Sequence, residues 1–329
     1  SLDKFGELFF FLKKDFFKFF LSIIKLKLFN PSQDLEKVSA ETWANESFGI
    51  KFTKKVWKPL IKNKYGRYKS KISALWLATR IKRHLSTKII YNNKSRLGYL
   101  VGTYKFVIKK IENLILKKKG KISKNCKVLV LRFNQKSLEK IITSKNIINC
   151  KNKTVISTLP LADLKKIKKN KKHYFKYLNN FKNCSATILI LKTQQRLNSH
   201  YWVTVSDKKI PFDLIINQNE IWDKYKYNYY YLSRYHEDPK HFQNKDIYKI
   251  FCSGIKKMYN DFDKNQIITY KILSSNSAAP IPYLNFSDKL PNFNTAYSNF
   301  FHVGFDHIYP EDRGVGNSIK LGKDISKLF

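Results

Sequence analysis

Between Cys184 and Tyr235 four short runs of aliphatic, β-branched and aromatic residues follow one another, at 186–191, 201–205, 212–217 and 229–234, with no helical-period stretch among them. Strands in such close series pair as antiparallel neighbours, because a parallel pair would need a crossover long enough to hold a helix. The chain must therefore build an antiparallel sheet. On either side the period changes. Residues 1–90 read as mostly helical. Ser39 stands as the N-cap of a short helix that Ser47-Phe48-Gly49 ends. Trp57 opens an element that Tyr65-Gly66 closes, and Ile72, Leu75, Trp76, Thr79 and Ile81 predict a helix over 70–83.

After residue 90 helices and strands alternate. Phe106, Val107, Ile111, Leu114 and Ile115 predict a helix over 103–119, with Gly120 as its C-cap. Strands are expected at 126–133 and at 154–160, the second running into a turn at Pro160. A helix at 247–258 and a strand at 267–273 precede a final strand at 300–304 and a helix at 316–328. This order defines an α/β chain with a second, antiparallel layer.

Lys and Arg number 64 against 24 Asp and Glu, giving a net charge of +40. The excess is mostly Lys and is spread along the whole chain, as in the runs 117–119 and 165–172, so it reads as solvated faces. Arg, the better phosphate clamp and base reader, is scarce beside it, and no zinc-finger spacing, RNA-binding aromatic strand or helix-turn-helix is present. No specific nucleic-acid partner is expected. Four cysteines without C-x-x-C spacing exclude a disulfide scaffold and suit a reducing, cytoplasmic setting. Residues 9–29 are rich in Phe and Leu but broken by Lys13, Lys14, Asp15, Lys18, Lys25 and Lys27. They read as an amphipathic helix docked on the domain, with peripheral membrane contact as the alternative. His236-Glu237-Asp238 with His241 has no defined ligand set and reads as a polar loop, so no metal is expected.

The C-terminal stretch holds the chemistry-bearing pattern. A buried strand runs into a loop with Gly314 and Gly316 and then into a helix carrying Gly322. The free N–H groups and positive potential of such a helix start suit a pyrophosphate or an electron-rich oxygen, and small residues allow close approach. The run 309–314, Tyr-Pro-Glu-Asp-Arg-Gly, together with Val38-Ser39-Ala40-Glu41-Thr42-Trp43 and Phe48-Gly49, Trp57-Lys58-Pro59-Leu60 and Lys64-Tyr65-Gly66, Leu97-Gly98-Tyr99, Val155-Ile156-Ser157-Thr158-Leu159-Pro160, Tyr201-Trp202 and Leu232-Ser233-Arg234-Tyr235, stands in one order along the chain. That order resembles the FAD-dependent amine oxidase-like oxidoreductases, the family that includes protoporphyrinogen oxidase, phytoene desaturase and UDP-galactopyranose mutase relatives.

The resemblance implies an FAD/NAD(P)-binding Rossmann-like domain plus a substrate domain of antiparallel sheet and helices. It places FAD against Gly304, Asp306, Tyr309, Glu311, Asp312, Arg313, Gly314, Gly316 and Asn317, against the strand with Val128 and Val130, against the loop with Thr158 and Pro160, and against the glycine loop of Gly98, Tyr99 and Gly102. This sequence departs from the family's pattern at three points. Phe305 directly follows the strand's glycine, with Asp306 one place later. Thr103 stands where the second of two loop glycines belongs. Gly6 is the only glycine before Gly49, so the G-x-G-x-x-G turn cannot be built there. With Ser1 first and Met258 the only methionine, the chain reads as an N-terminally truncated copy or fragment. It lacks the segment that would hold the ADP moiety, and poor FAD binding is expected.

The expected division is 1–90 and 166–294 for the substrate domain and 91–165 and 295–329 for an incomplete FAD-binding domain. The expected activity is hydride transfer from a small-molecule substrate to flavin, with no catalytic base assigned. The alternatives are a nucleotide-sugar mutase using reduced FAD, for which Arg234, Tyr235 and Arg313 are the candidate diphosphate ligands, and a non-catalytic basic remnant that binds nucleic acid or anionic membranes.

Overall fold

The structure, a computed structural model, describes residues 15–86, 89–91, 94–96, 100, 103–167, 178, 181–222, 224–238, 240–242 and 245–329. Five helices come first: α1 (Phe16–Leu28), α2 (Ala40–Phe48), α3 (Ile50–Lys55), α4 (Trp57–Tyr65) and α5 (Ala74–Ser86). A hairpin of β1 (Ile89–Tyr91) and β2 (Lys94–Arg96) leads to α6 (Thr103–Lys117). Then come β3 (Val128–Phe133), β4 (Leu138–Thr143), β5 (Ile147–Asn149), β6 (Val155–Ser157) and α7 (Leu161–Ile167). The strands β7 (Asn183–Thr193), β8 (Trp202–Thr204), β9 (Leu214–Asn217) and β10 (Asn228–His236) precede α8 (Ile247–Met258) and β11 (Ile267–Pro280). β12 (Phe300–His302) and α9 (Val315–Ile325) close the chain. It divides into two compact units, one of Ser1–Lys82, Asn180–Leu290 and Phe305–Leu321, the other of Arg83–Asn179, Pro291–Gly304 and Gly322–Phe329.

The first unit is built on the antiparallel sheet β11-β7-β10-β9-β8. Alternation places every second residue of a strand on one face, and the register aligns them: Leu232 of β10 lies opposite Leu189 of β7 on one side and Ile215 of β9 on the other, and all three are fully buried. The apolar stripe of α8, with Phe251, Cys252 and Ile255, covers that face, and Phe212 joins the same core. Gly254 is required here, because a Cβ would run into Pro211 and the Phe212 ring. The helices form an aromatic cluster in which Phe48 meets Trp43 edge-on at 5.4 Å and Phe19 of α1 at 5.6 Å. α1 docks through Phe19 and the buried Leu26, while Phe17 and Leu28 stay exposed. No helix among the described residues is long and apolar enough to cross a membrane. Backbone bonds join the helical layer to the chain after β11: Ser73 N–H donates to Pro282 C=O at 2.9 Å, and Leu284 N–H to Lys71 C=O at 3.0 Å.

The second unit contains the antiparallel sheet β3-β4-β5 and a parallel pair, β6 with β12. Asn299 ties them. Its Oδ1 accepts from Leu138 N–H at 2.8 Å, and its Nδ2 donates to the Leu138 and Cys150 carbonyls at 2.9 and 3.1 Å. Phe133 packs on Tyr297 and Phe300.

Several local expectations are met. Ser39 Oγ accepts from Thr42 N–H at 3.1 Å, and Gly49 ends α2 with φ +84°. Others are corrected. The helix expected over 70–83 begins at Ala74 and runs to Ser86. Ile72 and Ser73 are held instead in bridges to Tyr283 and Ser39, so tertiary pairing overrides the helical period. The helix over 103–119 stops at Lys117, and the left-handed residue after it is Lys119, φ +60°, rather than Gly120. β4 and β5 lie between the strands expected at 126–133 and 154–160, and the strand expected at 267–273 continues to Pro280 because β7 pairs with it again at Ala279 and Pro280 beyond an irregularity. Thr103, in a glycine position of the resemblance, takes φ +62°, where a β-branched side chain crowds its own backbone.

Two outcomes are expected. Leu232→Ala lowers the unfolding free energy by about 2–5 kcal/mol, measured by denaturant titration, because it empties a site between two fully buried neighbours. Thr103→Asn, which tolerates the left-handed region and keeps a capping oxygen, raises stability by about 0.5–1 kcal/mol. A lower melting temperature for Thr103→Asn would contradict the strain.

Candidate functional site

In the first unit the segment after β12 is fastened by one carboxylate. Asp312 accepts from Trp76 Nε1–H at 3.3 Å, pairs with Arg80, and lies 3.7 Å from Lys64 Nζ. The three donors come from α4 and α5. The segment is held again at Tyr309, whose hydroxyl lies 2.9 Å from Ser73 Oγ, and at Arg313, whose guanidinium donates to Tyr235 OH at 3.4 Å. Asn317 Nδ2 donates to Asp312 C=O at 3.0 Å and so closes the loop onto the first turn of α9.

Lys64 is the unusual group of this cluster. Its side chain is only 13% exposed. Its ammonium lies 4.8 Å from the Trp76 ring, with Tyr65 and Tyr235 also within cation–π reach. Burial lowers its pKa to about 8, against the opposing pull of Asp312. It therefore exchanges its proton near neutral pH, as ordinary lysines do not. Burial first, and the Glu36 carboxylate beside it, push the Tyr309 hydroxyl up, and the Tyr235 hydroxyl rises mainly through burial, so both stay protonated donors.

Lys64 also faces a cavity of about 840 Å³ within the same unit. Its walls are α4 with the turn that follows, the loop around Val205–Lys208, and the C-terminal end of β10 from Arg234 to Asp238. Asn63 Nδ2 donates to Val205 C=O at 3.1 Å and fixes one wall to another. Gly66, φ +53°, turns the chain where a Cβ would strike the Glu237 carboxylate. Asp213 sits in the wall with Oδ2 buried and unpartnered, and burial raises its pKa to about 6 against the pull of Arg234. His236 is engaged at both ring nitrogens, 3.1 Å from Thr187 Oγ1 and 2.6 Å from Asp238 C=O, which makes it a strut of the wall.

The residues that the resemblance assigns to FAD fall in two places. Asp306, Tyr309, Glu311, Asp312, Arg313, Gly314, Gly316 and Asn317 belong to the first unit, and Val128, Val130, Thr158, Pro160 and Gly304 to the second. Gly98, Tyr99 and Gly102 lie outside the described residues. Within the second unit, Thr158 and Pro160 follow β6, and Gly304 follows the parallel β12. Val303 N–H donates to Ser157 C=O at 2.9 Å, so the C-terminal ends of the two strands lie side by side. That is the position at which open parallel sheets take ligands. Val128 and Val130 are half-buried on β3, whose partner is β4. At α9, Gly316 and Gly322 have no atom within 4 Å of where a Cβ would stand, and Gly314 has only the Asp312 carbonyl oxygen at 3.9 Å. The backbone at the helix start is thus open to close approach. Among the described residues no glycine turn between a strand and a helix precedes α3, since Gly49 itself follows a helix.

No protein-family model matches the chain, and no curated protein matches it in sequence. Solved structures do match in fold. An oxidoreductase from Methanosarcina mazei aligns with TM-score 0.64 and 16% identity over 88% of this chain and 67% of its own. A cofactor-binding variant of putrescine oxidase aligns with TM-score 0.61 and 9% identity over 99% of this chain and 76% of its own. A reduced UDP-galactopyranose mutase aligns with TM-score 0.57 and 11% identity over 84% and 63%. The chain therefore shares the mixed helix–sheet fold of these structures, and spans 63–76% of their length.

Sequence reasoning passed over Lys64, Trp76, Arg80 and Asp213 as site residues. The only signal for Lys64 was its place before Tyr65-Gly66, since burial of a lysine has no mark in the sequence. Asp312→Asn is expected to cost about 3 kcal/mol, because it leaves both Arg80 and Lys64 charged and uncompensated. The folded pKa of Lys64, about 8, lies below its unfolded value of 10.5, so stability falls as pH drops from the unfolded value toward about 8 and levels off below it. Losing Asp312 lowers that pKa further. The deficit of the variant, followed by thermal melts, should thus hold a constant part from the lost Arg80 pair and grow beyond it as pH falls through 8 and below. A deficit independent of pH would remove Lys64 from the explanation.

Proposed function

We infer that the chain is an FAD-dependent oxidoreductase that removes a hydride from a small-molecule substrate. The observation that carries this reading is the open start of α9, where Gly314 and Gly316 leave room for a ring to lie close to the backbone. The adjacent ends of β6 and β12, with Thr158, Pro160 and Gly304, support it, as does the shared fold. Bound FAD would supply the hydride acceptor. The N–H groups at the start of α9 and the positive end of the helix suit an electron-rich ring oxygen. Asp312 holds the loop that carries Gly314 and Gly316, and Asn317 locks it. Lys64 Nζ, with its pKa near 8, holds or releases a proton toward the cavity. A second reading, a nucleotide-sugar mutase using reduced FAD, is supported by Arg234 and Tyr235, which line that same cavity.

FAD titrated into the chain should lose fluorescence and gain structured absorbance. Gly316→Leu should weaken that binding by roughly tenfold or more, a loss of about 1.4 kcal/mol. Its melting temperature should stay close to that of the parent, since no protein atom occupies the space. Gly316→Ala should raise the melting temperature through better helix propensity. No flavin signal at any concentration would sink the reading.

A further inference from the structure

The cavity at the end of β10 carries a charge imbalance that the fold does not neutralise. Eight Lys and Arg side chains line it against four carboxylates. Some are paired: Lys58 lies 2.6 Å from Glu41, Lys64 lies 3.7 Å from Asp312, and Arg67 meets Glu237. Lys54, Lys62, Lys69 and Lys208 have no carboxylate partner among the described residues. They reach the cavity from α3, from α4, from the turn after α4 and from the loop before β9. Their mutual repulsion is felt: Lys208 first, and Lys69 next, hold the Lys62 pKa below the ordinary lysine value. Like charges gathered around a concave wall raise the free energy of the empty protein. An anion in the cavity offsets that cost, whereas a protonated amine adds to it. Low-dielectric walls concentrate the field inside the cleft, which sets this cavity apart from the diffuse positive surface of a chain of net charge +40.

We propose that this cavity binds a small polyanion, a molecule with two or more phosphate or carboxylate groups, and that the oxidoreductase acts on an anionic substrate and not on an amine. Its role as a substrate site rests on the flavin reading above, whereas the binding itself does not.

The experiment is calorimetric titration of the full chain with inorganic pyrophosphate, tricarballylate and putrescine, at an ionic strength where exposed charges are screened beyond about 8 Å. Each titration is run with and without FAD. The expected order is pyrophosphate or tricarballylate well ahead of putrescine, and whichever anion binds tighter identifies phosphate or carboxylate as the natural group. Lys62→Ala with Lys208→Ala, both exposed, should weaken the anion by roughly tenfold, about 1.4 kcal/mol, and leave FAD binding unchanged. Lys109→Ala with Lys110→Ala on α6, equally exposed but outside the cavity lining, should change anion binding less than about twofold, since charges that do not face the cavity are screened from it. Equal losses in the two double variants, or putrescine binding as well as the anions, would overturn the proposal. So would a single-stranded RNA oligomer that binds with equal sensitivity to both pairs, because the charge would then act as a general surface. Anion binding without any FAD signal would keep the cavity and discard the flavin reading. FAD binding without anion binding would do the reverse.

Discussion

The first unit depends on the Asp312 carboxylate. Three donors from two helices converge on it, the Trp76 indole, the Arg80 guanidinium and the Lys64 ammonium. None of the three is well placed without it. Lys64 is a buried cation between aromatic rings, and Arg80 is largely withdrawn from water. A buried charge is tolerable only with a partner, so the positions of α4 and α5 and the course of the loop after Tyr309 are mutually determined. The helix α9 and its glycines inherit their position from that anchoring.

The same cluster connects stability to chemistry. A lysine whose pKa is drawn to about 8 is a cost to the fold and a usable proton carrier at a cavity wall. Asp213, raised to about 6 in the lining of the same cavity, is a second group of this kind. Functional cavities gather groups whose surroundings push their pKa values toward neutrality. The unpaired lysines on the rim add a field that selects by the sign of the ligand's charge.

Legibility differed by element for physical reasons. Ser39, Gly49 and Gly66 were readable because caps and turns are local chemistry: a side-chain oxygen three residues from an amide, or a φ that only glycine takes at ease. The sheet was readable from the aliphatic run of β7 and the aromatic run of β10. The start of α5 was not, because Ile72 and Ser73 pair with Tyr283 and Ser39, residues far away in the chain. β4 and β5 escaped notice since their Lys, Glu and Asn residues lie on exposed positions of short strands. β11 was cut short at Leu273 because Ser274, Ser275 and Asn276 have little strand propensity, yet β7 pairs with the strand beyond that point. The run 309–314 was readable as a motif, but its anchoring role was not.

The order of helical and strand periods by itself determined the class of fold, an α/β chain with an antiparallel sheet, since each period follows from neighbours a few residues apart. Composition determined the positive charge but not where it acts. Only the tertiary structure decided that Asp312 would meet Trp76, Arg80 and Lys64 across more than two hundred residues, that Lys64 would be buried, and that four unpaired lysines would share one cavity. Burial and long-range electrostatics depend on which distant segments are brought together, and that information resides in packing and in no local stretch of sequence.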